Sequence, residues 1–299
     1  MPPFRNPLLP RWTAMSDSAR GILLVTAGSM MLVAMSLVIK QLGERIPAIE
    51  ILFFRSAIGF LFVLPFFFRN PFEPLRTKRH GAHLVRGIFG TLANICFFWT
   101  ITHMLLADAV ALQFSRPLFM LPLAVLLLGE VAGLRRSAVV AVGFLGILVY
   151  ARPFTAGFDP GVFVGAAGAV FSCLVVICIK WLAKTEPTRV IMFYYSFWTA
   201  VFSAIPALYW WMTPTPVELV MLIGVGILGI YGQGLVTHGY TLAEAGALVT
   251  LDYSRVVYAA ILGYLLFGEV PGPWNFVGMA LIVAASFYLV LSERVAKRG

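Results

Sequence analysis

The chain has 299 residues, 60% of them apolar and only 12% charged, with a net charge of +9. That charged share is about half of a soluble domain's, which excludes a soluble globular protein and makes a lipid bilayer the fitting solvent. The positive residues fall between apolar runs rather than in one patch, so they read as markers of membrane orientation and not as a nucleic-acid surface.

The chain opens with "MPPFRNPLLPRW", a Pro-rich stretch without the apolar core of a cleavable signal, and residues 1–18 read as a cytoplasmic tail. Ten apolar runs long enough to span a bilayer follow, at about 19–41, 47–68, 83–103, 107–128, 136–152, 160–183, 187–211, 217–240, 246–267 and 273–292. The fifth is the shortest. The connections are short, which predicts that consecutive helices are antiparallel neighbours. With the N-terminus inside, fifteen Lys and Arg residues fall in cytoplasmic segments and only Arg45 and Arg152 in outer loops. Cytoplasmic loops retain positive charge, so both termini are expected in the cytoplasm, with residues 293–299 as the second tail.

The octapeptide "LLLGEVAG" closes the fourth run at 126–133, and "LLFGEVPG" closes the ninth at 265–272. Around them Ser115, Arg116 and Glu130 match Ser254, Arg255 and Glu269. Upstream, at an offset of 140, Gly21, Gly28, Lys40, Pro47, Phe53 and Ser56 match Gly161, Gly168, Lys180, Pro187, Phe193 and Ser196. The repeating unit is therefore five helices. Five is odd, so the second copy enters the membrane from the other side, the inverted plan that recurs in secondary transporters. The expected fold is all-α and integral to the membrane: ten transmembrane helices as two inverted five-helix repeats, residues 19–152 and 160–292.

The paired "LGE" and "FGE" helix ends, "FFRS" at 53–56 and "ADAVALQFSRPLF" at 107–119 resemble the drug/metabolite transporter superfamily, in its ten-helix EamA branch, over residues 19–292. The resemblance implies a bacterial inner-membrane carrier. Members of the branch export amino acids and other metabolites, the aromatic amino acid exporters of the YddG type among them. Others take up S-adenosylmethionine or riboflavin. The chain departs from a strict repeat at Val256, which faces Pro117.

Ionisable side chains inside a membrane usually face a cavity or one another. Arg116 and Arg255 lie about nine residues into their runs, near the midplane, with Gln113 and Asp252 three residues earlier on the same faces. An arginine suits a carboxylate and an aspartate an amino group. Asp252 and Arg255 equally form a pair that satisfies itself. Asn94 corresponds to Gln233, and Trp99 to His238, on the third and eighth runs. Tyr195 and Trp198 in "FYYSFW", with Tyr253 and Tyr258, offer flat walls for an apolar ring. Belt or lipid-facing aromatics explain the same pattern, most directly for Trp99 near its helix end. Pro117 removes a helix hydrogen bond and frees a carbonyl.

Four further residues are read as gating or structural: Arg55, matching the branch's second-helix arginine, Glu130 and Glu269 at helix ends, and Pro117 at the kink. Glu50, in the first turn of the second run, is favoured there by the helix dipole. "HGAH" at 80–83 has helical spacing for two metal ligands but no third, and no metal or cofactor is expected. Cys96, Cys173 and Cys178 lie inside apolar runs as small packing residues. Glycines at 161, 165, 168 and 224–234 suit close helix packing.

The function expected is a secondary transporter that rocks two five-helix halves about a central cavity. It exports aromatic or hydrophobic amino acids, with uptake of S-adenosylmethionine or a riboflavin-like compound as the alternative. The chain shows no G-x-S-x-G, no H-E-x-x-H and no Cys/His nucleophile pair, which argues against a membrane enzyme. The expected partners are a small-molecule substrate and lipid, with no nucleic acid, and the expected state is a monomer.

Overall fold

In a computed structural model of the chain, the described residues are 15–67, 77–128, 133–152, 159–182, 184–242 and 245–295. Helix α1 (Asp17–Leu42) starts at Ser16, whose hydroxyl accepts the Ala19 N–H at 3.2 Å, with Asp17 in the first turn. Helix α2 (Ala48–Val63) passes into a 3-10 turn at Leu64–Phe67, where Pro65 has no amide proton to continue an α-helix. Then come α3 (His80–His103), α4 (Leu106–Gln113), α5 (Arg116–Leu128) and α6 (Leu134–Ala151). The second half holds α7 (Gly161–Leu182), α8 (Thr188–Tyr209), α9 (Pro216–Leu242), α10 (Ala245–Phe267) and α11 (Pro273–Val295).

Counting α4 and α5 as one broken pass gives ten passes, and no strand occurs among the described residues. Eight of these segments are long and apolar enough to cross a bilayer by themselves. The buried hydroxyls follow the rule of a medium without water. Ser36, Thr91 and Ser203 each donate to the carbonyl one turn back in their own helix, at 3.0, 2.8 and 2.6 Å.

The packing is ordered by the repeat. Helix α1 lies against α9, and its counterpart α7 lies against α3, the counterpart of α9. Likewise α1 meets α10 as α7 meets the α4–α5 pass, and α2 meets α9 as α8 meets α3. Helices α2 and α8 pair with each other, as do α6 and α11. Exchanging the two repeats leaves this list of neighbours unchanged, which is the signature of a pseudo-two-fold axis. It also corrects an expectation: several consecutive helices touch, but the principal partner of every pass belongs to the other repeat, so the two halves are interleaved.

Small residues make the interleaving possible. A methyl group on Gly28 would stand 2.7 Å from the Gly232 carbonyl oxygen, where α1 crosses α9. At the α6–α11 crossing, one on Gly146 would stand 3.0 Å from the Gly278 carbonyl oxygen and 2.8 Å from Leu281 Cβ. With no water to drive helices together, such backbone approach carries the association. Gly146→Leu is therefore expected to lower the midpoint of thermal unfolding by several degrees, following an overpacking cost of about 1–3 kcal/mol. Size-exclusion of the detergent-solubilised variant after stepwise heating checks it.

Candidate functional site

The fourth pass breaks near its middle, and the break builds the centre of the molecule. Helix α4 ends at Gln113, Phe114 and Ser115 form a turn, and α5 begins at Arg116 with Pro117 next. Proline is well placed at a helix start, because its missing N–H is unpaired there anyway. Its missing bond would have gone to the Gln113 carbonyl four residues back. That freed carbonyl accepts instead from Arg116 Nε at 3.1 Å. The expected kink at Pro117 is thus a full break one turn earlier, and Arg116 is tied to it. The Arg116 carbonyl in turn accepts from Cys173 Sγ on α7 at 3.2 Å. A narrow crevice lies beside the break, lined by Gln113, Ala109, Phe97, Thr100, Gly168 and Ser172, with room for a water molecule and not for a metabolite.

Its counterpart α10 runs unbroken through Arg255, as Val256 in place of proline allows. Arg255 is buried, and its Nε donates to Ser29 Oγ on α1 at 3.1 Å. The guanidinium sits 6.0 Å from the Phe114 ring, which packs at 4.5 Å against Tyr253. Phe114, Tyr253, Arg255 and Ser29 thus join both middle passes to α1. The Asp252 side chain lies outside the described residues, and so does Glu130. Tyr258 packs against the central apolar cluster beside Tyr253.

A second group forms between α3 and α8. Asn94 Nδ2 donates to the Tyr195 hydroxyl at 2.8 Å and to the Gly90 carbonyl at 2.6 Å. Tyr195 lies over Gly90, and Trp198 over Gly87, on a strip of α3 that has no side chains to obstruct them. Trp198 stacks on Phe202 with centroids 5.4 Å apart. Arg55 on α2 occupies the place in its repeat that Tyr195 holds on α8. It lies over Gly229 of α9, the counterpart of Gly90, with its guanidinium 5.8 Å from the Phe98 ring.

The remaining candidates are not drawn to these groups. Trp99 stacks on His103 at 4.2 Å in the last turn of α3. Gln233 and His238, the repeat counterparts of Asn94 and Trp99, are on an exposed face of α9. Helix α9 turns its glycine face to α1, and that places its polar residues outward.

Polar ties gather at the face opposite the one from which α1 enters. Glu269, in the α10–α11 turn, pairs with Lys40 near the end of α1. Its Oε2 accepts the Leu106 N–H at the start of α4 at 2.7 Å, while Lys40 Nζ donates to the Met104 carbonyl at 2.6 Å. Beside it Glu50 Oε2 accepts the Met212 N–H at 3.0 Å, and Arg45 pairs with Glu218. Tyr150 of α6 donates to Asp108 Oδ2 at 2.5 Å. These ties join residues far apart in sequence, so spacing alone does not reveal them. Sequence reasoning also passed over Asp108 and Arg86. Arg86 was visible as an ionisable residue in an apolar run, three residues after His83.

The EamA-like transporter family matches residues 19–152 and 159–291, one copy on each half of the chain. The chain belongs to this family. It is a multi-pass membrane transporter whose two family units are the two interleaved repeats. Relatives of this EamA-family transporter carry different cargo. An S-adenosylmethionine uptake transporter of Rickettsia felis is 31% identical over 258 residues, covering 86% of this chain and 87% of that one. A pseudopaline exporter of Pseudomonas aeruginosa is 32% identical over 278 residues, covering 92% and 97%. A riboflavin transporter of Rhizobium johnstonii is 25% identical over 253 residues, covering 84% of each. A crystal structure with 20% identity shares the fold at a TM-score of 0.61, covering 92% of this chain and 98% of its own.

Proposed function

We propose that this transporter works by alternating access in a bacterial inner membrane and carries a small amphiphilic metabolite with a carboxylate and a flat ring. Outward movement of an aromatic amino acid is the primary reading. The observation behind it is a charge imbalance in the spans. Among the described residues Arg55, Arg86 and Arg116 make no ion pair, while the Phe98 ring stands close to Arg55 and the Tyr195 ring close to Arg86. Cations inside a membrane are costly unless a counter-charge arrives, and a carboxylate supplies it.

Uptake of S-adenosylmethionine is the second reading, favoured by the rickettsial relatives; that molecule also joins an amino carboxylate to a flat ring system. The Lys and Arg bias supports cytoplasmic termini, which makes the Lys40–Glu269 face the outer one. Arg116 is proposed as the cation that meets the substrate, and the Lys40–Glu269 pair as the outer gate. Purified transporter in liposomes, offered labelled L-phenylalanine, S-adenosylmethionine and riboflavin in turn, tests the substrate class. Saturable flux of either amino carboxylate, with none of riboflavin, is expected. Flux of riboflavin alone overturns the reading.

A further inference from the structure

We infer that Arg86 and the side chains around it form a carboxylate-binding station between α3 and α8, on the N-terminal side of the midplane. The inference rests on the carboxylate reading above and locates a subsite for it. Arg86 lies six residues into α3, roughly 9 Å deep at 1.5 Å per residue. It is 7% exposed, and its Nε and Nη1 have no hydrogen-bond partner among the described residues. The guanidinium stacks at 4.5 Å on the Tyr195 ring, which Asn94 holds by its hydroxyl.

Three neighbours share this condition. His83, one turn before Arg86, is 1% exposed with both ring nitrogens unpartnered, and it stacks at 4.4 Å on Tyr194. Trp198 Nε1 and Thr199 Oγ1 on α8 are buried and unpartnered as well. Buried polar groups without partners are rare, and four residues of this kind along one helix pair call for a ligand.

The chemistry narrows it. A guanidinium presents two parallel donors that match the two oxygens of a carboxylate. Among the described side chains of this cluster Arg86 is the one arginine or lysine, so a monoanion balances its charge. Its other face is taken by the Tyr195 ring, and the Trp198–Phe202 stack extends the flat wall. A carboxylate attached to a planar ring fills both requirements.

Benzoate is the minimal probe, and benzamide is its neutral match in shape. Binding of each to the purified transporter in detergent is measured by thermal shift over a concentration series. Benzoate is expected to bind wild type at least tenfold more tightly than benzamide, and Arg86→Gln to remove that preference. Arg86→Lys keeps the charge without the fork and should retain only part of it. Trp198→Phe keeps the ring packed on Gly87, removes the one donor, and should weaken benzoate binding about threefold. A benzoate preference that persists in correctly folded Arg86→Gln overturns the station and places the carboxylate elsewhere, Arg116 included. No preference in wild type overturns it too. Both results are separate from liposome flux, where loss of all carboxylate transport by wild type would instead remove the substrate class itself.

Discussion

Glu269→Gln is expected to open the outer face. In wild type one carboxylate holds three elements: the end of α1 through Lys40, the start of α4 through the Leu106 N–H, and its own α10–α11 turn. Glutamine keeps an oxygen for the Leu106 N–H but cannot neutralise Lys40. The two side chains are only 9% and 15% exposed, so the remaining ammonium is left poorly solvated. Breaking a buried pair by removing one partner costs about 3–5 kcal/mol, and for this partly exposed pair about 2 kcal/mol is a fair lower figure. That shifts the balance between closed and open outer faces by more than tenfold.

A cysteine at Ala109, one turn into α4 and 1% exposed, reports it. In a background with Cys96, Cys173 and Cys178 replaced, a membrane-impermeant thiol reagent is added outside intact cells. Ala109→Cys is expected to react slowly with the gate intact and at least tenfold faster with Glu269→Gln. Adding Lys40→Gln should increase the rate little further, because the two changes remove one interaction. Unchanged labelling in Glu269→Gln would show that the pair is structural and no gate.

Arg116→Lys should separate carboxylates from amines. Lysine keeps the charge, but it cannot offer the planar fork or the Nε bond to the Gln113 carbonyl. A charge-assisted hydrogen bond contributes about 1.5–3 kcal/mol, which corresponds to roughly a 10- to 100-fold fall in kcat/KM for the transported amino acid. Its decarboxylated amine should change less than threefold. Arg255→Lys is expected to depress both compounds alike, because Arg255 is buried and bonded to Ser29, where it holds α10 against α1. Selective loss in Arg255→Lys alone would exchange the two assignments.

The ten passes were legible because apolar length and charge placement are local properties. The inverted repeat was legible because Ser115, Arg116 and Glu130 recur at one offset as Ser254, Arg255 and Glu269. The interleaving was not. It depends on which face each glycine presents, and Gly28 reveals its partner Gly232 only in the folded molecule. The break at Phe114–Ser115 was half legible, since Pro117 announces trouble but not where the helix ends. Arg86 escaped for a different reason. The residue at its repeat position is Val225, so the comparison that exposed the Arg116–Arg255 pair was blind to it. Lys40 and Glu269 stood out as repeat matches, yet their pairing spans 229 residues (269 minus 40) and needed the fold.

Counterflow in liposomes tests the alternating carboxylate carrier most directly. Vesicles are preloaded with unlabelled L-phenylalanine or S-adenosylmethionine, diluted, and offered a trace of the same compound with a label. A carrier whose single site faces one side at a time exchanges inner for outer substrate, so label should accumulate transiently above its equilibrium level for at least one of the two. Preloading with the corresponding amine should give little or none. Label that merely equilibrates, regardless of what the vesicles contain, would indicate an open pore and contradict the account.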